Sequence, residues 1–569
     1  MPSAPDKPLP RCLLCGMHCP VGVQHDRLGH LRTVFPSDLG ADHGACVLGV
    51  TAGRLIAADE RVFRARVDGQ SVGLGRALDA LAERLGSADP ARTALVVDLN
   101  RPLEGLAWVH ALAAEALPEA TVSAFVPPQD AAVAEAGVGS MPPLAELARR
   151  DLVVTVGDVC SSHPAITHLL RNMQRAERGN RWVAIDVMPS RTTRAADEQV
   201  IVRPEALAAF LCAVAATAGA EDLTAALGES DPEAVDWHAD LMHDRVRDLA
   251  ARARRAGKAG FVVSPGLGRC SHASSAIAAV QALAEGCDGE AWVLPLCMNT
   301  FVLPALAKAL ALKPLGELQT AIEAGDVDTL MVIGFDPSAV LPEHIWRAWS
   351  GRPQTVLWAG SLICGFSEVA GIAVPLALAW EESGSMVCHS GDLGHFEPWT
   401  RPPGGVPTTQ DLVEAVAERM GRPGIAPPGV ADIAADSPAA PPLGDVVGPG
   451  VLDVLAPEEG QVTIVGALDT QGYTGGLHLG QCEWQVRVAP EEAACSGRAA
   501  DGVITLGDAP GLALPCRRPP RLPHEEERAD PVVAVPAHWP AARELFEWQA
   551  SPSGVFRAEP HRTRIAADE

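Results

Sequence analysis

The sequence predicts an α/β protein: a small N-terminal cysteine-bearing module, two doubly wound parallel-sheet units and a small β-barrel-like C-terminal domain. Three observations predict it. From about residue 71 to residue 380, short and continuously apolar runs alternate with amphipathic helical patterns, which indicates parallel strands covered on both faces. Cys12, Cys15, Cys19 and Cys46 gather at the start of a chain that otherwise scatters its thiols. Beyond residue 445 only short strand-like runs remain, separated by Gly, Asp and Pro.

In chain order, residues 1–68 are loop-rich and read as a metal-organised module. Residues 69–220 form the first α/β unit. The helical pattern LGRALDALAERL precedes the strand TALVVDLN (93–100), the helix GLAWVHALAAEAL and the strand TVSAF (121–125). The strands DLVVTVG (151–157) and RWVAID (181–186) follow, with a helix between them, and EQVIVRP closes the unit. Residues 221–420 form the second unit: a charged helical region (221–257), GFVVSPG, a helix over 271–286, WVLPL, a helix over 302–312 and ELQTAIEAG. The strands TLMVIGFDP (329–337), QTVLWAG (354–360) and GIAVPLALAW (371–380) complete it. The units share one detail: VTVGDVCSSHP and MVIGFDPSAVLP each place a strand, a glycine and an acidic residue before a helix. Residues 421–445, rich in Pro, Ala, Gly and Asp without periodicity, read as a linker, and 446–569 as the β-rich domain with a tail.

The length of 569 residues suits three to four domains at about 150 residues each. The formal net charge is −26, and the only lysines are Lys7, Lys258, Lys308 and Lys313. A surface this acidic repels a phosphate backbone, so nucleic acid is not an expected partner. The N-terminus has neither an apolar leader core nor twin arginines, and no stretch gives 18 uninterrupted apolar residues, so the expectation is a cytoplasmic protein without a membrane span. In a reducing compartment its 14 cysteines are ligands or buried thiols rather than disulfides.

The N-terminal cysteines have the spacing C-x2-C-x3-C-x26-C. A short loop containing Gly16 lets three sulfurs turn to one centre, and a fourth from a distant loop closes the set. Four thiolates suit a [4Fe–4S] cluster, since soft ligands select iron–sulfur or zinc over hard cations. A zinc site is the alternative, with His18, His25 or His43 nearby; the C-x2-C-x3-C triplet argues for iron, because zinc knuckles usually present two separated pairs.

This motif, followed by RLIAADERVFRARVDGQSVGLGRALDALAERL, resembles the start of the molybdopterin oxidoreductase superfamily, which includes formate dehydrogenase large subunits, formylmethanofuran dehydrogenase and the large iron–sulfur subunit of complex I. DLVVTVGDVCSSHPAITHLL with AIDVMPSRTTRAADEQVIVRP is similar to the family's first nucleotide-binding half, AIEAGDVDTLMVIGFDPSAVLP to the second, and FSEVAGIAVPLALAWEESGSMVCHSGDLGHF to the stretch beyond it. The resemblance implies a molybdopterin cofactor carrying molybdenum or tungsten, with Gly157, Asp158, Asp186, Arg191, Thr192, Gly334 and Asp336 lining its arms and Cys12, Cys15, Cys19 and Cys46 holding the cluster. It implies partner redox subunits in a complex, and one-carbon oxidoreduction at the formate or formyl level. His389 and His395 are acid/base candidates by position.

Two departures weaken that implication. Where catalytic members carry Lys or Arg two residues after the fourth cysteine, this chain has Leu48, which can neither donate a hydrogen bond nor supply charge. The loop that supplies the metal ligand in the family is here VPPQDAAVAEAGVGSMPPLAEL (126–147), without cysteine; Asp130 or Ser140 is the only substitute, and an Asp in that setting reads as a helix N-cap. Strand-end glycines and acidic N-caps also occur in any doubly wound sheet. GRCSHASSAI (268–277) reads as a helix start with a Ser cap rather than a Cys270–His272 nucleophile pair. Cys388, His389, Asp392 and His395 offer either metal ligands or polar lining. The remaining cysteines, Cys160, Cys212, Cys287, Cys297, Cys364, Cys482, Cys495 and Cys516, read as buried. Three functions follow: a molybdopterin-type oxidoreductase subunit, a non-catalytic electron relay or scaffold that has lost the pterin metal, and, more distantly, a zinc-organised binding protein.

Overall fold

The computed structural model describes residues 10–25, 27, 31–35, 46–58, 61–138, 141–228, 231–237, 242–265, 267, 270–341, 343–387, 391, 393–431, 443–447 and 449–452, and the strand backbones at 462–467, 486–488, 501–506, 509–517, 532–536, 547–550, 556–559 and 561–563. Two parallel sheets organise it. The first has five strands in the order Glu290–Val293, Ala259–Val263, Leu152–Val156, Arg181–Asp186, Glu198–Ile201. In the second, a hairpin of Gln70–Val72 and Ala65–Val67 lies antiparallel against Ile372–Pro375, and Thr355–Gly360, Thr329–Ile333, Thr93–Asp98 and Thr121–Phe125 follow in parallel.

The strands do not sort by the sequence division at residue 220. Thr93–Asp98 and Thr121–Phe125 leave the first unit to pair with Thr329–Ile333, and Ala259–Val263 and Glu290–Val293 leave the second to pair with Leu152–Val156. An apolar run buried on both faces carries no mark of which neighbour it pairs with, so the alternation was legible and the exchange was not. The central strands Leu152–Val156 and Thr329–Ile333 are buried throughout. Helices cover both faces. Ile166–Ala176 buries Ile166, Leu169, Leu170 and Met173, one stripe at helical spacing. The alanine-rich Leu207–Ala218 is buried almost all round, wedged against Ala273–Gly286 and Met242–Arg255.

The N-terminal segment is woven between the two units. Cys15, Met17 and Cys19 join the core of the first sheet, while Cys12, Leu13, Leu14 and Leu48 pack with Met298, Trp380 and Trp399. Arg61, bound bidentately to Glu381 at 3.0 and 2.8 Å with both side chains fully buried, ties this segment to the second unit. After the linker, Leu443, Val447 and Leu452 return to the first core.

At the C-terminus, six strands form an open mixed sheet in the order Asp501–Leu506, Ala509–Arg517, Val486–Val488, Val532–Pro536, Val462–Ala467, His561–Thr563. Its end strands are not joined among the described residues, which show no closed barrel. Among the described residues no helix is long and apolar enough to cross a membrane.

Candidate functional site

The loop Cys12–Cys19 is pinned at both ends: Cys12 N donates to Cys19 O at 2.9 Å, and Arg11 Nη1 donates to His18 O at 3.1 Å. Cys46 caps the helix Val47–Thr51, its sulfur accepting from Gly49 N at 3.4 Å. Cys12, Cys15 and Cys19 are buried and Cys46 is half-buried. Burial pushes the Cys12 and Cys15 thiols far up. Cys19 and Cys46 raise both further, and Cys12 raises Cys15, so the four sulfurs lie within electrostatic reach of one another. The amides of Leu14 and Met17 oppose the shift by donating to Cys12 and Cys15. As the side chains stand, no group of three or more His, Cys, Asp or Glu among the described residues is arranged to hold a metal ion. In kind the donor set fits a soft metal cluster: four cysteine sulfurs, three of them buried, of which Cys12 and Cys15 are held as thiols that a cationic centre would let ionise. Leu48, 4% exposed, lies in the apolar packing beside Cys12.

At the C-terminal end of Leu152–Val156 the chain turns through Gly157 (φ +80°), whose N–H donates to Ile185 O at 2.8 Å. Asp158 then caps the next turn. Its carboxylate accepts from Ser161 N and Oγ (3.3 and 2.6 Å) and from Thr192 N and Oγ1 (3.2 and 2.7 Å). Thr192 Oγ1 also accepts from Cys160 N at 2.9 Å. Asp158 and Thr192 are thus partners of each other, and the Asp158 carboxylate takes up the donors of this turn. Asp186 is buried at the end of the neighbouring strand, accepting from Val187 N at 2.8 Å. Arg191 is exposed at the start of Arg191–Ala195, which Ser190 caps.

Between the sheets lies the loop 295–300. Asp130, wholly buried, accepts from Leu296 N at 2.8 Å, Cys297 N at 2.7 Å and Thr300 Oγ1 at 2.8 Å. The expectation that it caps its own helix is corrected: that cap is Pro127, and the carboxylate fills an anion nest on another loop. Burial pushes its pKa up to about 6 despite those three donors. Ser140 and His43 lie outside the described residues.

The second sheet repeats the frame. Gly334 (φ +94°) donates to Ala359 O at 2.8 Å, and Asp336 accepts from Ser338 N and Oγ at 2.8 and 2.6 Å. Here the crest opens into a cleft lined by Asp98, Asn100, Arg101, Asp336, Cys364 and Trp380, with Leu13 of the cysteine loop at its edge. Burial lifts Asp98 to about 6, against hydrogen bonding from Asn100 and the charge of Arg101. The terminal nitrogens of Arg101 are committed to Glu382 (2.7 Å), Thr409 (3.1 Å) and Ala377 O (3.0 Å), while its buried Nε has no partner. A Cβ on Gly334 would stand 2.4 Å from that Nε. The Cys364 thiol is driven up by burial and by Asp336.

His395 is exposed on the hairpin Leu393–Phe396, its Nδ1 2.8 Å from Ser385 Oγ, which donates to Glu104 at 2.5 Å. The serine bridges acid and imidazole, so this is a structural link and not an activated nucleophile. His389, Cys388 and Asp392 lie outside the described residues. The helix Ala273–Gly286 starts after His272 in the left-handed region (φ 54°), not after a Ser cap. Cys160, Cys212, Cys270 and Cys297 are buried, Cys287 and Cys364 half-buried; the side chains of Cys482, Cys495 and Cys516 lie outside the described residues. Sequence reasoning missed Asp98, Arg101 and His163. The strand-end acid in TALVVDLN was the available sign for Asp98; nothing local marks the other two.

No family model and no curated protein matches the sequence. Among solved structures, acetylene hydratase from Pelobacter acetylenicus superposes with a TM-score of 0.65 over 97% of this chain and 95% of its own, at 13% identity. The chain has the acetylene hydratase fold. A chain of the formyltransferase/hydrolase complex (FhcABCD) from Methylorubrum extorquens, determined in complex with methylofuran, matches 64% of this chain and 100% of its own at 16% identity, with a TM-score of only 0.44.

Proposed function

We propose that this chain is a subunit of a larger redox assembly that holds one [4Fe–4S] cluster on Cys12, Cys15, Cys19 and Cys46, relays electrons through it, and keeps a molybdopterin-type fold as scaffold without a pterin metal. The likeness to acetylene hydratase over nearly the whole chain supports that fold type. The observation that carries the scaffold reading is the buried Asp130 carboxylate, spent on Leu296 N, Cys297 N and Thr300 Oγ1 in the loop where the family draws its metal ligand. Asp158, filling the anion position at the first crest, and Leu48 in apolar packing support it further. The cluster, when bound, supplies one-electron transfer. The chain's part is to hold four thiolates in a cage closed by Leu13, Leu14 and Leu48. A single cluster passes electrons on only to another centre, so a redox partner follows.

The second reading, a formate- or formyl-level oxidoreductase, is favoured by the cleft of the second crest and the unpartnered Arg101 Nε within it. Metal analysis of anaerobically purified protein separates the readings. Iron with sulfide and no molybdenum or tungsten is expected. A stoichiometric pterin metal overturns the scaffold reading in favour of the enzyme, and zinc alone overturns both.

A further inference from the structure

We propose that His163 is a positioning residue for the cysteine loop, fixing the backbone at Gly16 and Met17 through the Pro295 carbonyl and so setting the reduction potential of the cluster that the loop holds. This rests on the iron–sulfur reading above.

The His163 ring is wholly buried, with Nε2 3.0 Å from Pro295 O and Nδ1 3.0 Å from Ser162 Oγ. A carbonyl oxygen only accepts, so the partners assign the proton to Nε2 and leave Nδ1 to accept from Ser162. Burial keeps the ring neutral, with its pKa pushed down to about 4. Ser162 Oγ lies 3.2 Å from Ser264 Oγ, and Ser264 Cβ stands 3.1 Å from where a Cβ on Gly157 would be, so the strut is rooted in the first crest.

At its other end the same Pro295 oxygen accepts from Gly16 N at 2.9 Å, using its second lone pair. The contact leaves no slack: a Cβ on Gly16 would stand 2.3 Å from that oxygen and 2.8 Å from Pro295 Cγ. Gly16 follows Cys15 directly, so this contact fixes the backbone that presents the Cys15 sulfur and the Met17 amide beside it. Amide bonds to cluster sulfurs favour the more negative, reduced state, and supporting groups one step removed fix such donors in place. His163 is outside the lining of the second-crest cleft and takes part in no other chemistry described above.

The test is a redox titration of the full chain, purified anaerobically and followed by electron paramagnetic resonance, beside iron content, for wild type, His163→Phe and His163→Gln. His163→Phe keeps bulk without a donor and should shift the midpoint to more negative potential. His163→Gln keeps an N–H for Pro295 and should stay near wild type. Iron lost from His163→Phe and restored in His163→Gln also supports the proposal. An unchanged midpoint in His163→Phe at full iron content overturns it, as does equal iron loss from both variants, which marks a purely structural role. Should His163→Phe fail to fold, Gly16→Ala, which drives the loop off Pro295, must shift the midpoint in the same direction, and no shift overturns the proposal. A wild type without any iron–sulfur signal overturns the cysteine-loop reading itself, and the proposal with it.

Discussion

The two crests start from one frame and end differently. In each, a buried parallel strand ends in a glycine of positive φ that donates to the neighbouring strand, an acidic residue caps the next turn, and a capping box follows the neighbouring strand, at Ser190 or at Cys364. At the first crest Asp158 reaches across to Thr192 and the turn closes on itself. At the second, Asp336 accepts locally from Ser338, and the neighbouring strand and the turn after it bring Asp98 and Arg101, which line a cleft. The frame comes from the strand–glycine–acid repeat. What each crest bonds and presents comes from side chains remote in sequence, Thr192 at the first and Asp98 and Arg101 at the second.

The largest effect expected from breaking this contrast is at Arg101. Replacing it with alanine strands Glu382, already driven up by burial, without its cation, and should cost roughly 3–5 kcal/mol in denaturant unfolding. Asp158 at the first crest is held by neutral donors instead, so Thr192→Ala should cost far less.

Next is the nest between the crests. Because the folded chain holds Asp130 up to about 6 while the unfolded chain releases its proton near 4, the folded chain carries the extra proton between those values, and this group's contribution to stability falls as pH rises through that window. His163 acts oppositely. Held down to about 4, it stays neutral where the unfolded chain is protonated, so its contribution rises with pH up to about 6.5. Asp130→Asn should therefore lose stability against wild type by roughly 2 kcal/mol less at pH 7 than at pH 4, read from urea midpoints.

The glycines give a smaller, sharper comparison. Both need positive φ, which costs an alanine about 1–2 kcal/mol. Gly157→Ala should cost at least that much, since its Cβ also presses on Ser264 Cβ at 3.1 Å. Gly334→Ala should cost more, because its Cβ strikes Arg101 Nε at 2.4 Å, and the excess should vanish in an Arg101→Ala background. The smallest effect is loss of the cap at Asp336: Asp336→Ala should cost about 1 kcal/mol. It should also speed alkylation of Cys364, whose thiol that carboxylate holds up.

The strands were legible because each is a short, uninterrupted apolar run; Thr121–Phe125 and Arg181–Asp186 begin and end where the sequence places them. Their partners were not, since both sheets are built from the same residue types. Of the candidate site, the cysteine spacing and both glycine–acid turns could be read directly. That Asp158 would bond Thr192, that Asp130 would serve a loop more than 160 residues away, and that His163 would reach Pro295 depend on tertiary approach, which no local pattern encodes.

The central claim is that four N-terminal sulfurs hold an iron–sulfur cluster in a scaffold without a pterin metal. Its most direct test is the electron paramagnetic resonance spectrum of the anaerobic protein during stepwise reduction. The account predicts the spin-half signal of one reduced [4Fe–4S] cluster, abolished by Cys15→Ser, and no signal from pentavalent molybdenum or tungsten at any potential. A silent spectrum from intact protein, or a pentavalent metal signal, would contradict it.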